Sequence, residues 1–199
     1  MIIGVKGLTW ATIASGGEGS AVVYSGGESL TDMMVHVDYS VERDESGFYA
    51  DDHQIDGENS VRAVNVSLEL AKLPIAARKT ILGWAEDSTN NEYSETDQPA
   101  PYVGVGFVYG DRYKGTTVYI PIWIYKVQFG LDNENADTKG ESISFQTRTI
   151  SGKGMAVQLD SSGVGVFRTI GHAASAEGFA TYAAALAWLK TKAGISGGG

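Results

Sequence analysis

The sequence predicts a mainly β protein of the α+β class: a two-sheet β-sandwich with one inserted helix and one C-terminal helix. Apolar residues alternate with polar ones along much of the chain, which is typical of strands with one buried face. Two segments break this alternation and have helix signals instead. The 199 residues are enough for one domain that buries a core without a metal or disulfide. We expect a sandwich domain over residues 1–170, and a helix with a flexible glycine-rich tail over residues 171–199.

Four strands are predicted in the first half of the chain. The clearest covers residues 64–70, where Val64, Val66 and Leu68 alternate with polar residues. The other three cover residues 5–13, 21–24 and 34–39.

Residues 42–59 interrupt this pattern. They hold seven acidic residues and two glycines, with Phe48, Tyr49 and Ile55 as their sizeable apolar side chains. We expect a long, solvated loop, and loops of this length are usually functional or disordered. An acidic loop that only solubilises the protein is the alternative.

The inserted helix is predicted over residues 75–82. Pro74 suits the start of a helix, and Gly83 can adopt the left-handed conformation that ends one. Further strands are predicted over residues 102–109, 118–129 and 141–150, followed by a hairpin of residues 155–159 and 164–170.

The strand predicted over residues 118–129 is apolar on both sides. Ile122 and Ile124 alternate with Trp123 and Tyr125. Such a strand is either central in a two-layer fold or covered by another subunit. We expect Trp123 or Tyr125 to lie at a subunit interface.

The C-terminal helix is predicted from apolar residues spaced three and four apart, with Ser175 as its N-cap and Gly194 as its stop. The spaced residues are Phe179, Tyr182, Ala183, Leu186 and Leu189.

Composition excludes several functional classes. The chain has no cysteine, so disulfide scaffolds, thiolate metal sites and cysteine nucleophiles are excluded. Residues 1–99 carry 6 Lys and Arg against 17 Asp and Glu, a net charge of −11, and residues 100–199 carry 9 against 7, a net of +2. This excess of acidic residues disfavours tight binding of nucleic acid. No apolar run is long enough to span a membrane, and no motif indicates an enzyme, a metal or a cofactor.

The ordered segments of the chain resemble the phage major tail proteins of the phi13 type. The resemblance covers about residues 1–165, and it is the ordered set rather than any one motif that carries it. Pro121 and an alanine-rich C-terminal helix depart from the family pattern. The matching segments are Tyr49-Ala50-Asp51-Asp52, residues 66–74, 81–83, 100–107 and 118–129, Thr138-Lys139-Gly140-Glu141 and Phe145-Gln146-Thr147.

The resemblance implies a structural subunit of a phage tail tube, without catalysis or cofactor. Such subunits form hexameric rings that stack into a hollow conduit, and viral DNA passes through its lumen during ejection. The partners are then further copies of the chain, and the tape-measure, tail-tip and tail-terminator proteins. The location is the virion tail, after synthesis in the bacterial host cytoplasm. An acidic wall suits this role because like charge repels phosphates.

Within this interpretation the loop over residues 42–59 is expected to reach the adjacent ring. Phe48 and Tyr49 serve as apolar anchors beside Asp51 and Asp52.

Other interpretations remain open. A monomeric carbohydrate-binding β-sandwich could use Trp10, Trp84 and Trp123 as sugar platforms. A hydrolase could use Asp51 and Asp52, although neighbouring residues of an extended chain point in opposite directions. The tubes of contractile tails are a close variant of the tail-tube interpretation.

Overall fold

The computed structural model describes residues 1–50, 53–130, 147–174 and 177–195, and along residues 45–50 and 53–59 it describes the backbone alone. Strands dominate the described chain, in agreement with the predicted mainly β class. The strands are β1 (Ile2–Ser15), β2 (Val23–Leu30), β3 (Met34–Ala50), β4 (His53–Leu70), β5 (Ala85–Asp87), β6 (Glu92–Ser94), β7 (Tyr102–Tyr113), β8 (Thr116–Phe129), β9 (Arg148–Gly154), β10 (Val157–Gln158), β11 (Gly165–Val166) and β12 (Arg168–Ile170). The helices are α1 (Ile75–Leu82) and α2 (Tyr182–Lys192).

One large antiparallel sheet folds over to make both layers of the sandwich. Its strand order is β2-β1-β7-β8-β9-β4-β3, and β12 pairs with β8 off this path. The two layers part along β8. Its residues 122–124 pair with β12, whereas its residues 127–129 pair with β9. Each layer therefore keeps hydrogen-bonded contact with β8 while facing the other across the core.

Two apolar cores lie on opposite sides of the β1-β7-β8 layer. The first fills the sandwich and includes Leu8, Leu68, Phe107 and Ile124. The second lies between the outside of that layer and α2, and includes Trp123, Tyr125, Ala185 and Leu189. These two cores explain the strand that is apolar on both sides. It is central in a layered fold, and this chain's own helix covers its second face.

Glycines in the sheet let α2 approach closely. A Cβ added at Gly106 of β7 would lie 2.6 Å from Leu189 Cδ2 and 2.6 Å from Trp123 Cε3. A Cβ added at Gly27 of β2 would lie 2.6 Å from the carbonyl oxygen of Ala193. Real Cβ contacts are not this short, so side chains at these positions would lift the helix from the sheet.

Helix α1 has the predicted bounds. It follows Pro74 and ends at Gly83, which has a φ of 76° in the left-handed region. The side chains of Ala77, Ile81 and Leu82 are buried in the first core.

The predicted loop over residues 42–59 is wrong in its described part. Residues 42–50 and 53–59 continue β3 and β4 as an antiparallel hairpin, paired from Glu42–Ala63 to Ala50–His53. The sequence of this segment lacks apolar alternation, and its backbone pairing with the opposite strand identifies it as β-structure.

The C-terminal helix exists but begins later than predicted. Thr181 is its N-cap, and the Thr181 side chain accepts a hydrogen bond from the Ala184 amide at 3.3 Å. Ser175, the predicted N-cap, lies outside the described residues, as do residues 196–199 of the predicted tail and residues 141–146 of a predicted strand. Gly194 adopts a positive φ of 68° just after the helix, as expected for a stop.

Candidate functional site

The two aromatic residues predicted at a subunit interface are core residues instead. Trp123 is fully buried and Tyr125 nearly so, both in the second core that also includes Ala185 and Leu189 of α2. The expectation that either side chain lies between subunits is therefore corrected. Their apolar strand already has a cover within the chain.

Tyr24 of β2 ties these two residues together. Its hydroxyl donates to the Tyr125 carbonyl oxygen at 2.7 Å and accepts a hydrogen bond from Trp123 Nε1 at 3.1 Å. The rings of Tyr24 and Trp123 meet edge to face, 5.2 Å between centroids. Burial raises the pKa of the Tyr24 hydroxyl well above its usual value, although the Trp123 hydrogen bond opposes this.

The other predicted site residues lie at the far end of the β3–β4 hairpin. Phe48 pairs with Asp56 along the backbone, and Tyr49 pairs with Gln54. Asp51 and Asp52 lie outside the described residues. The predicted contact between this segment and an adjacent ring stays a prediction.

One face of the sandwich carries mostly exposed polar side chains among the described residues. This surface, called the polar face below, is the outer side of the β3-β4-β9 layer. The residues that alternate with these polar ones along the strands, such as Val66 and Leu68, face the opposite side of the layer and lie in the first core. The polar face consists of His36, Asp38, Ser40, Glu42, Asn65, Ser67, Glu69, Thr149, Ser151 and Lys153.

Register aligns the polar face into rows across three strands. Ser40, Asn65 and Lys153 form one row, and Asp38 lies in the next row with Ser67. Ser67 Oγ is 3.2 Å from Ser151 Oγ. The residues of the polar face are thus polar side chains, one pair of hydroxyls among them bonded, and none is a large apolar side chain.

The charge of the polar face is negative. It has three carboxylates and one ammonium group, a formal net charge of −2 with histidine neutral. Lys153 Nζ lies 2.9 Å from Glu42 Oε2. The hydrogen bond from Lys153, together with its positive charge, lowers the pKa of the Glu42 carboxyl.

The β3 strand is an edge of the large sheet. Among the described residues it pairs with β4 alone, so its other side presents unpaired backbone groups. Val35 is 48% exposed and Val41 is 42% exposed, although Val41 pairs with the core residue Val64. An exposed edge strand with apolar side chains is available for pairing with a strand of another chain.

A cleft of about 600 Å³ adjoins the polar face. Polar-face residues form one wall, and residues 96–100 form the other. Its described lining includes no tryptophan or tyrosine. Of the three tryptophans named for a sugar platform, Trp10 and Trp123 are fully buried, and Trp84 packs against the first core. The aromatic side chain in its described lining is Phe129, which is only 2% exposed, so the described cleft offers little aromatic surface for stacking on sugars.

Comparisons with known proteins add no family. No protein-family model matches the chain, and no curated protein matches it. In the described ranges, no three His, Asp or Glu side chains are grouped as a metal site, and no helix there has the length and apolar character that crossing a membrane requires.

The structure contributed three features that sequence reasoning had missed: the polar face, the β3 edge and the hairpin form of residues 42–59. Alternation in β4 already separated polar from apolar sides. What it did not reveal is which outer side α2 covers, because that depends on docking between residues distant in sequence.

Proposed function

We propose that the chain is the structural subunit of a phage tail tube, in which copies form hexameric rings that stack around a conduit for DNA. The polar face carries this proposal. A passage for DNA needs a wall without apolar anchors and without excess positive charge, and the polar face meets both requirements.

The division of the molecule into two unlike sides also supports a tube wall. One side of the sandwich is polar and largely exposed among the described residues, and the other is covered by α2. We assign the polar face to the lumen and α2 to the outside.

Lateral joining of copies follows from the sheet edge. When β3 of one copy pairs with a neighbouring sheet, unpaired backbone groups are satisfied and exposed Val35 and Val41 are covered. Repetition of this contact around a rotation axis closes a ring.

The proposal places the protein in the virion tail, with tape-measure, tail-tip and tail-terminator proteins as its neighbours and no catalytic role. The carbohydrate-binding alternative lacks a supporting observation, because its tryptophans do not form an exposed platform.

Electron microscopy of the concentrated protein tests the proposal, and we expect rings or hollow tubes. Changing both Val35→Lys and Val41→Lys should abolish them while the thermal midpoint stays close to that of the parent protein, because both side chains are already exposed. Val164→Lys is the matched control, since Val164 is 63% exposed and lies outside β3. Particles that stay monomeric at high concentration, alone and with phage tail partners, would refute the proposal.

A further inference from the structure

We propose that the protein binds a small organic carboxylate with an apolar body in a cavity beside Lys126. This inference goes beyond the proposed function and does not depend on it. The cavity has a volume of about 220 Å³ and lies where β1 ends and β7 begins. It is called the Lys126 cavity below, and its lining includes Ile13, Glu18, Pro101, Tyr102, Lys126 and Val157.

An irregularity in β8 positions Lys126 at this cavity. Val103 of β7 pairs with Val127, and Val105 pairs with Ile124, so β8 has two residues where β7 has one. Ile124 and Val127 both lie in the first core, although they are three positions apart. The extra residue is a β-bulge, a feature that often redirects a side chain beside a functional site. The bulge keeps Val127 in the first core and leaves Lys126 lining the cavity.

The ammonium group of Lys126 lies over an aromatic ring. Its Nζ is 4.6 Å from the centroid of the Tyr102 ring, and Lys126 is half-buried. No carboxylate of the described residues forms an ion pair with it. By contrast, the more exposed Lys153 lies 2.9 Å from Glu42. A half-buried charge depends more on a partner than an exposed one does, because it has lost part of its hydration. Lys126 therefore has the charge and the burial that suit binding of an anion.

The remaining lining selects the kind of anion. Ile13, Pro101 and Val157 are apolar, and Tyr102 adds an aromatic surface. One ammonium group balances one carboxylate, while these side chains can cover an aromatic or branched aliphatic body. Inorganic phosphate has no apolar part and fits such a lining less well. The volume is below the range of roughly 300–1,000 Å³ that is typical of ligand pockets, so the ligand is small.

The loop that follows β1 gives the cavity a wall of fixed shape. Gly16 and Gly17 line the cavity with φ values of 84° and 91°, in the region that favours glycine. A Cβ added at Gly16 would clash with the carbonyl oxygen of Ala21. The Gly17 amide donates to the Ser20 carbonyl oxygen at 2.9 Å, and the Gly17 carbonyl oxygen accepts from the Gln158 amide at 2.8 Å. A wall that is already formed reduces the ordering cost of binding.

Glu18 introduces an opposing charge at the same cavity. It is exposed, whereas Lys126 is half-buried, so water screens the charge of Glu18 more strongly. A bound carboxylate is thus attracted by Lys126 more than it is repelled by Glu18. Removing the charge of Glu18 should strengthen carboxylate binding, and removing that of Lys126 should weaken it.

Saturation-transfer NMR with benzoate tests the proposal on the full chain, because it detects weak ligands of single and of assembled copies. We expect saturable binding that is at least tenfold tighter than that of benzamide, which has nearly the same shape without the charge. Ligands of few atoms have limited affinity, so the titration extends to about 50 mM. Benzoate binding that is no tighter than benzamide binding, or that does not saturate in this range, would overturn the proposal.

Variants of Lys126 locate the binding. Lys126→Gln should weaken benzoate binding at least tenfold, and Lys126→Arg, which keeps the positive charge, should retain most of it. Lys192→Gln is the matched control and should leave binding unchanged. Lys192 is also half-buried and lies 5.3 Å from the Trp188 ring centroid, but it is outside the lining of the Lys126 cavity. Equal benzoate binding by the parent protein and Lys126→Gln would overturn the site.

Glu18→Gln provides a second test that does not depend on the folding of the Lys126 variants, because the Glu18 side chain is exposed. We expect benzoate binding to become roughly two- to threefold tighter while benzamide binding stays the same. Benzoate affinity that stays the same or falls in this variant would count against a carboxylate site at Lys126.

Discussion

Tyr24→Phe tests whether Trp123 and Tyr125 belong to the interior of one chain. The substitution keeps the ring and its edge-to-face contact with Trp123, and removes only the hydroxyl. Two buried groups then lose their partner: the Tyr125 carbonyl oxygen, 2.7 Å away, and Trp123 Nε1, 3.1 Å away. A buried polar group without a hydrogen bond costs roughly 1–3 kcal/mol. For two such groups we expect a loss of about 2–6 kcal/mol in the free energy of unfolding.

Urea unfolding followed by tryptophan fluorescence measures this loss at pH 7. The slope against urea should stay equal in both proteins, so that the shift in midpoint reports stability alone. Tyr113→Phe is the matched control, because the Tyr113 side chain is 71% exposed, and its effect should stay within about 0.5 kcal/mol.

The same variant predicts a change in alkaline stability. The pKa of Tyr24 is higher in the folded protein than in the unfolded chain, whose tyrosines ionise near their ordinary value of about 10. Below that pH the hydroxyl is protonated in both states and its contribution is fully present. As the pH rises above it, the unfolded chain ionises first, so stability falls. Tyr24→Phe should lose less stability than the parent protein between about pH 9.5 and 11.

Equal stability of the parent protein and Tyr24→Phe at pH 7 would refute this reasoning. It would mean that the Tyr24 hydroxyl does not hold Trp123 and Tyr125 in the interior through these two hydrogen bonds.

Two further predictions concern the helix cover and the polar face. Leu189→Ala should cost about 2–5 kcal/mol in unfolding free energy, because it leaves a cavity beneath α2. Leu186→Ala, on the half-buried side of that helix, should cost less, and equal losses would contradict the packing. By NMR titration, the Glu42 carboxyl should have a pKa below its ordinary value, and Lys153→Met should raise it while Lys190→Met leaves it unchanged. Because the pKa of Glu42 is lowered in the folded state, the ionised Glu42 stabilises the folded protein at pH values above the ordinary glutamate pKa. This stabilisation disappears as the pH falls through the pKa of Glu42 in the folded state.

Local signals predicted the elements whose boundaries depend on nearby residues. Helix α1 begins after Pro74 and ends at Gly83, two residues with fixed conformational roles. The β10–β11 hairpin follows from the turn residues between its strands. The part of β4 over residues 64–70 follows from alternation of Val64, Val66 and Leu68 with polar residues.

Features that depend on distant contacts were harder to predict. The second face of β8 offered two covers, a neighbouring subunit or a packed element, and sequence spacing does not choose between them. In the structure α2 covers this face, and Gly106 allows it because the absence of a side chain there leaves space for Leu189. The hairpin form of residues 42–59 was missed because the sequence there has no apolar alternation to mark its strands.

The start of α2 was placed too early because an apolar spacing does not identify the residue that caps a helix. Phe179 fits the helical spacing, but its backbone pairs with Tyr119 of β8. The turn therefore begins at Thr181, whose hydroxyl accepts from the Ala184 amide.

Strand β8 gives the sandwich a mechanical property. Since residues 122–124 bond to β12 and residues 127–129 bond to β9, a single covalent backbone runs through both layers. Sliding one layer past the other would require breaking main-chain hydrogen bonds, and not only shifting side chains across the apolar core. A load applied to either layer is thus carried into the other by peptide bonds, which makes the subunit stiff in shear.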